Sequence, residues 1–396
     1  MEALEFRVLP AISAVTAESW DGLFAHEPEQ ATPFLRHAFL EALEASGSAS
    51  EKTGWRARHL TLWRGGRLVA AAPAYARENS EGDFSRDWQW VATAEQMGTP
   101  YYPKLILAVP FTPATGRRLL VAKGEQRGPL VHAVLTGARA LAKEEGMRSV
   151  QVLFPTGEEA VELAGEGFAP RLSFQYHWIN EGYRGFSEFL ARFSSKRRNA
   201  IKRERAAPDR QGIAIRTVRG PELSADAKGW AKAMFDLHRA SVDRMCWGMR
   251  WVNRGFYERV LSAMPDGLEI VEARRGARLV AAAFNASSGS RLYGRYWGCR
   301  EEHPFLHFNV CLYHSVEQCI GRGLGVFEGG AGGEHKLLRG FEPALAYSAH
   351  LFLDGRLATA LRQHLAAERA DRMAAFERWR AEAPVLKPKE DRLSER

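Results

Sequence analysis

What this chain lacks narrows its class before any motif is read. Its 396 residues hold four cysteines, Cys246, Cys299, Cys311 and Cys319, all in the second half and none in a Cys-x-x-Cys pair. That spacing argues against a zinc ribbon or a secreted disulfide framework and fits a reducing compartment. No run approaches the roughly 18 consecutive apolar residues that a membrane-spanning helix needs. Glu2 and Glu5 stand where a signal peptide would carry base. His303 and His307 have the i, i+4 spacing of a metal pair, but Pro304 lies between them and no His-Glu-x-x-His occurs, so no metal is expected. The expectation is a cytoplasmic protein without a membrane span.

What is present is length, apolar content and one local excess of base. At 45% hydrophobic residues the chain suits two domains of ordinary size, each able to bury its own core. Lysine and arginine number 55 against 47 acids, a net charge of +8. Most of the excess sits between Arg192 and Arg210, where eight bases face only Glu204 and Asp209.

The chain also repeats itself. Arg67 to Ala72 reads Arg-Leu-Val-Ala-Ala-Ala, and Arg278 to Ala283 reads the same, each after a Gly-containing charged turn that closes a hairpin. Gly167-Phe168-Ala169-Pro170 is followed by His177, as Gly340-Phe341-Glu342-Pro343 is followed by His350. Upstream, a helix with Trp20 and Phe24 matches one with Trp230 and Phe235. Three matches in one order imply a duplicated unit. The element order, strand, two helices, hairpin, strand, helix, strand, helix, strand, predicts an α/β fold with a mixed sheet in each copy.

The expected organisation is an N-terminal domain over 1–184, a basic connecting helix over 185–211, a C-terminal domain over 212–365 and a charged helical tail over 366–396. The first copy is longer, and the extra residues are placed at about 79–125, a stretch rich in proline and aromatics that reads either as a lid or as a packed plug.

Several motifs carry a family resemblance. They are Thr99-Pro100-Tyr101-Tyr102-Pro103-Lys104-Leu105, Pro110-Phe111-Thr112-Pro113, Tyr293-Gly294-Arg295-Tyr296-Trp297-Gly298, Phe305-Leu306-His307-Phe308 and Gly333-Glu334-His335-Lys336-Leu337. With the repeated hairpin and the Gly-Phe-x-Pro turns, the order resembles the GNAT acyltransferase superfamily. Two such domains joined by a basic helix are similar to the Fem-type aminoacyl-tRNA-dependent aminoacyltransferases, and more so to the bacterial peptidoglycan biosynthesis/recognition family. Asn309 stands where that family usually has an acid, and Gly332 where it has Gln. The GNAT pyrophosphate loop is not cleanly present in either copy.

The resemblance implies tandem GNAT-like domains and N-acyl or aminoacyl transfer to a small-molecule or peptide amine acceptor. The donor would be acyl-CoA or aminoacyl-tRNA, with no tightly bound cofactor, and a link to peptidoglycan precursors follows. The alternative is a binding protein that kept the fold and lost the chemistry. Acyl transfer needs a base, a carbonyl polariser and a cleft, and GNAT-like sheets open theirs where the fourth and fifth strands splay. The residues expected there are His335, Glu334 and Glu328 for proton transfer. Arg295, Tyr296, Trp297, His307, Lys336, Tyr101, Tyr102 and Lys104 are expected to contact substrate, and Gly330, Gly332 and Gly333 to hold an anionic group on backbone amides. Read as structure alone, Glu328 and Glu334 would form salt bridges and the glycines a tight turn. Arg197, Arg198 and Lys202 can meet a polyanion such as tRNA, but no aromatic platform interrupts them, and a solvated linking helix is the favoured reading.

Overall fold

The computed structural model describes residues 2–27, 32–245, 248–382 and 385–387; Cys246 and the tail beyond Lys387 lie outside them. The first stretch runs β1 (Leu4–Leu9), α1 (Ala17–Asp21), α2 (His37–Ala45), β2 (Arg56–Ala57), β3 (His59–Arg64), β4 (Arg67–Ala72), β5 (Ala74–Arg77), α3 (Trp88–Gln96), β6 (Lys104–Leu107), β7 (Leu120–Val121), α4 (Arg127–Glu144), β8 (Ser149–Leu153), α5 (Gly157–Gly165) and β9 (Ala169–Ile179). A connecting region follows with α6 (Phe186–Ala191), α7 (Ser195–Arg205) and α8 (Ala207–Arg210). The remainder is β10 (Ile213–Arg219), α9 (Pro221–Ala225), α10 (Ala227–Val242), α11 (Arg254–Ala263), β11 (Leu268–Arg275), β12 (Arg278–Ser288), β13 (Arg291–Cys299), α12 (Leu306–Phe308), α13 (His314–Arg322), β14 (Val326–Glu328), β15 (Glu342–Phe352) and α14 (Gly355–Glu382). Among the described residues no helix is long and apolar enough to cross a membrane.

Side-chain caps set several helix starts. Thr156 accepts from the Glu159 amide at 3.2 Å, Asp226 from Gly229 at 3.0 Å and Asn253 from Phe256 at 3.1 Å, each satisfying an amide with no partner inside its helix. The basic region expected as one helix is three, because Ser194 restarts the chain as the cap of α7.

The repeat is visible in backbone detail. In the first hairpin β3 and β4 pair antiparallel with a register shift at Leu62/Trp63, and in the second β11 and β12 shift at Ala273/Arg274. Both bulges are separated by the same 211 positions as the two hexapeptides. Each copy then has a parallel pair, β6 with β8 and β13 with β14.

The chain forms two compact units that do not follow sequence order. The first comprises 1–173, 250–264 and 345–373, and the second 174–249, 265–344 and 374–396. In the first unit β8 is flanked by β15, with Ser348 opposite Leu153 and Phe352 opposite Ser149. In the second, β14 is flanked by β9, with Val326 opposite Ile179. The closing strand of each copy thus lies beside the parallel pair of the other. Helix α11 also belongs to the first unit, where Phe256 meets Phe39 of α2 edge to face at 5.5 Å. The expected segments 1–184 and 212–365 therefore describe the repeat in sequence, while packing groups the residues differently.

The stretch 79–125 is built into the first unit. It holds α3 and the fully buried strand β6, and Trp90, Tyr101 and Phe111 are buried while Trp88 is exposed. Leu105, Ile106 and Leu107 with Val150 and Val152 form the continuous apolar run expected of parallel strands covered on both faces.

Candidate active site

In the second unit β13 and β14 pair over only three residues, from Arg291 opposite Val326 to Tyr293 opposite Glu328. Beyond that the strands part. A cavity of about 290 Å³ opens there, with Gly294, Arg295, Tyr296 and Trp297 on one wall and Gly329 to Gly333 on the other. Helix α10 covers the back of β13. It can do so because residue 298 is glycine: a Cβ there would lie 2.2 Å from the Leu237 backbone.

The glycine wall is held open by a lysine. Gly330, Gly332 and Gly333 all take left-handed backbone angles, and Lys336 lies almost wholly out of solvent with its Nζ donating to the carbonyls of Gly330 at 2.8 Å and Gly332 at 2.7 Å. Turning those carbonyls toward Lys336 leaves the amides of Gly330 to Gly333 without a protein acceptor among the described residues. Burial lowers the Lys336 pKa to about 8.

Two imidazoles face this wall. His307, at the start of the helical turn after β13, is exposed overall, yet its ring lies 5.2 Å from that of Trp297 and 6.2 Å from that of His335. Burial of the ring, then the nearby His335, Lys336 and Arg339, push its pKa down. His335 is shifted down as well, by burial first and then by Lys336 and Arg339. Both shifts favour the neutral ring, the form that can accept a proton.

Of the residues expected from sequence, the cavity gathers Arg295, Tyr296, Trp297, His307, His335, Lys336, Gly330, Gly332 and Gly333. The two carboxylates are elsewhere. Glu328 is buried and paired to Arg291 at 3.1 Å, with His177 at 3.9 Å, and it does not line the cavity. Glu334 is exposed and outside the lining. Lys336 is better described as the brace of the glycine wall than as a contact for an anion. Tyr101, Tyr102 and Lys104 belong to the first unit. The Lys104 ammonium is spent on Ser80 at 2.7 Å, Asp87 at 2.7 Å and Asp83 at 2.9 Å, which leaves no donor for a substrate. Tyr101 donates to Asp87 at 2.7 Å, and Tyr102 shares a 2.7 Å bond with Ser80. The basic cluster divides: Arg197 donates to the Leu338 carbonyl, Arg198 to Ser195 at 3.4 Å, and Lys202 is exposed. No cluster of metal-binding side chains is found among the described residues.

Sequence reasoning missed a second cavity and a buried network. A cavity of about 310 Å³ shares Trp297 and His307 with the first and is otherwise bounded by Ser241, Arg244, Met245, Cys299, Glu301, Glu302, His303 and Leu306. Asn309 donates to the carbonyls of Glu204 and Phe305, both at 2.9 Å, so its amide is a structural tie. Glu204 was visible as the one acid inside α7, but nothing in the sequence says where it points.

A mixed α/β protein of two tandem GNAT-like units, one with a splayed strand pair over an open glycine wall, is the class that this geometry defines. A profile of FemAB-like proteins, described as peptidoglycan biosynthesis/recognition, matches residues 11–387. The chain belongs to that family. The crystal structure of FemX resembles it with a TM-score of 0.52, at 12% identity over 88% of this chain and 98% of that one. L-PGS from Bacillus licheniformis gives 0.49 at 9% identity over 84% and 96%, and a tandem GNAT protein from the clavulanic acid biosynthesis pathway 0.44 at 14% over 88% and 98%. No curated protein matches the sequence.

Proposed function

We propose that the second unit transfers an acyl group, of the aminoacyl type, to an amine on a peptidoglycan-related acceptor. The observation that carries this is the pairing, in one cleft, of unengaged backbone amides with two imidazoles. As the amine attacks the donor carbonyl, negative charge collects on the carbonyl oxygen, and preorganised amides stabilise it without reorganising. The amine nitrogen gives its proton to His335 or His307. The tetrahedral intermediate then collapses, the C–N bond stays, the C–O bond of the donor ester breaks, and the leaving alkoxide takes the proton back. Two cavities that meet at Trp297 and His307 suit a reaction with two substrates, the glycine-walled one for the donor carbonyl and the other for the amine.

An ester donor suits the site better than acyl-CoA. The resemblance places a coenzyme pyrophosphate in the turn after β13, but that turn presents Glu301 and Glu302, whose charge opposes an anion, and lacks an N–H at Pro304. The test is transfer from an aminoacyl ester to an amine-bearing muropeptide, followed by mass spectrometry. His335→Ala should lower kcat/KM about 100-fold or more; unchanged transfer in that variant would remove His335 from the mechanism.

A second reading, ligand recognition without turnover, is favoured by one observation: no carboxylate lines the first cavity. Under it a muropeptide raises the melting temperature and no product forms.

A further inference from the structure

The turn that presents His335 and Lys336 is a six-residue 3₁₀ helix, Glu334–Arg339, whose own hydrogen bonds have poorer geometry than those of an α-helix. Its far end is Arg339, only 5% exposed. The guanidinium reaches back along the turn, Nη1 donating to the His335 carbonyl at 2.8 Å. Its other nitrogens bind one carboxylate oxygen of Glu204, Nε at 3.1 Å and Nη2 at 2.8 Å. The same oxygen accepts the Tyr313 hydroxyl at 2.5 Å. The guanidinium also stacks 3.4 Å from the Phe308 ring centre, and Phe308 lies 5.3 Å from the His335 ring. Glu204 is 8% exposed, although it sits in the most basic helix of the chain. Tyr313 closes a π-helical turn, Asn309–Tyr313, an irregularity often found beside functional sites.

We propose that Glu204 and Arg339 are a positioning pair: anchored by Glu204, Arg339 holds the His335 carbonyl and so fixes the turn that sets His335 and Lys336 against the glycine wall. Neither residue lines the cavity, so they act through the turn. This rests on the reading of the cavity as the reacting site. A buried ion pair by itself is weak grounds for stability, since replacing it with apolar groups is often neutral. The bond to the His335 carbonyl gives this pair a second role.

The test separates position from stability by comparing Arg339→Lys with Tyr313→Phe in the full chain. Arg339→Lys keeps the charge beside Glu204 but loses the fork that also spans to the His335 carbonyl. Tyr313→Phe removes a bond to Glu204 and leaves the Arg339 link to His335. With ¹⁵N-glycine labelling, Arg339→Lys is expected to shift the amide resonances of Gly330, Gly332 and Gly333, and Tyr313→Phe to leave them in place while lowering the melting temperature. In the transfer assay Arg339→Lys should reduce kcat roughly 10- to 100-fold at a little-changed KM, and Tyr313→Phe by less than about twofold. Glu204→Gln should follow Arg339→Lys; where it does not fold, the other two variants still decide. Unmoved glycine resonances in Arg339→Lys, or an equal loss of kcat in Tyr313→Phe, would overturn the proposal. The resonances need no substrate, so a failure to find any transfer reaction leaves this comparison standing and counts against the functional reading alone.

Discussion

Two lysines are withdrawn from solvent, one in each unit, and they are held in opposite ways. Lys104 is wholly buried between two aspartates, and although burial alone would lower its pKa, Asp83 and Asp87 outweigh that and raise it. Lys336 has only backbone carbonyls as partners, and burial takes its pKa down to about 8. The first completes an ion-paired network. The second holds a loop in a shape that leaves amides unused.

Two strand ends repeat the contrast. At the end of β8 the buried Arg118 fills the space, donating to the carbonyls of Leu153 at 2.9 Å, Gly116 at 2.9 Å and Ala114 at 2.6 Å, while Glu159 takes the amides of Arg118 and Leu119, both at 2.8 Å. At the end of β14 the corresponding groups stay open. Duplication supplied two copies of one architecture; of these two strand ends, that of β14 leaves amides without a protein acceptor among the described residues.

The sharpest way to break this comparison is to remove each lysine. Lys104→Met leaves Asp83 and Asp87 buried without a counter-charge and should cost about 3–5 kcal/mol, the usual penalty for one broken side of a buried pair. Urea unfolding measures it; a loss under about 1 kcal/mol would show the network to be ornamental.

A second difference is in pH. Between about pH 8 and 10.5 the unfolded chain binds the Lys336 proton and the folded chain does not, so this group makes stability rise with pH across that window. Relative to Lys336→Met, the wild type should gain about 1–3 kcal/mol on going from pH 8 to 10.5. Lys104 has the opposite sign: its contribution is complete below its unfolded pKa and is lost as pH rises through its raised folded pKa. A flat difference between wild type and Lys336→Met across the window would mean that Lys336 is solvated.

At pH 7, Lys336→Met should cost about 1–2 kcal/mol, because two neutral carbonyls lose a donor while a buried charge is also relieved. Equal losses at both lysines would erase the distinction. Smallest of all, Tyr102→Phe removes one bond to Ser80 and should cost about 0.5–1.5 kcal/mol. A larger effect would mean that the Ser80 contact is essential to the Lys104 network.

Much of the second unit's cavity was legible because its parts are local. Glycines at 330, 332 and 333 announce backbone that only they adopt readily, and Arg295 to Trp297 lie on one strand end. Glu334 misled because a charged residue beside a histidine looks like a pair, yet neighbours in a short turn project in different directions. Lys104 misled because its partners, Asp83 and Asp87, come from a preceding stretch whose path a one-dimensional pattern does not show.

The sequence alone determined that a unit was duplicated, where its hairpins bend and which turn is rich in glycine, since each of these is a matter of neighbours along the chain. Tertiary structure decided the rest: which copy's closing strand flanks which parallel pair, which buried lysine meets carboxylates and which meets carbonyls, and that an acid in a basic helix ends up gripping Arg339. Those outcomes depend on residues tens to hundreds of positions apart arriving at one place, and the cost of burying a charge is settled only by what it meets there.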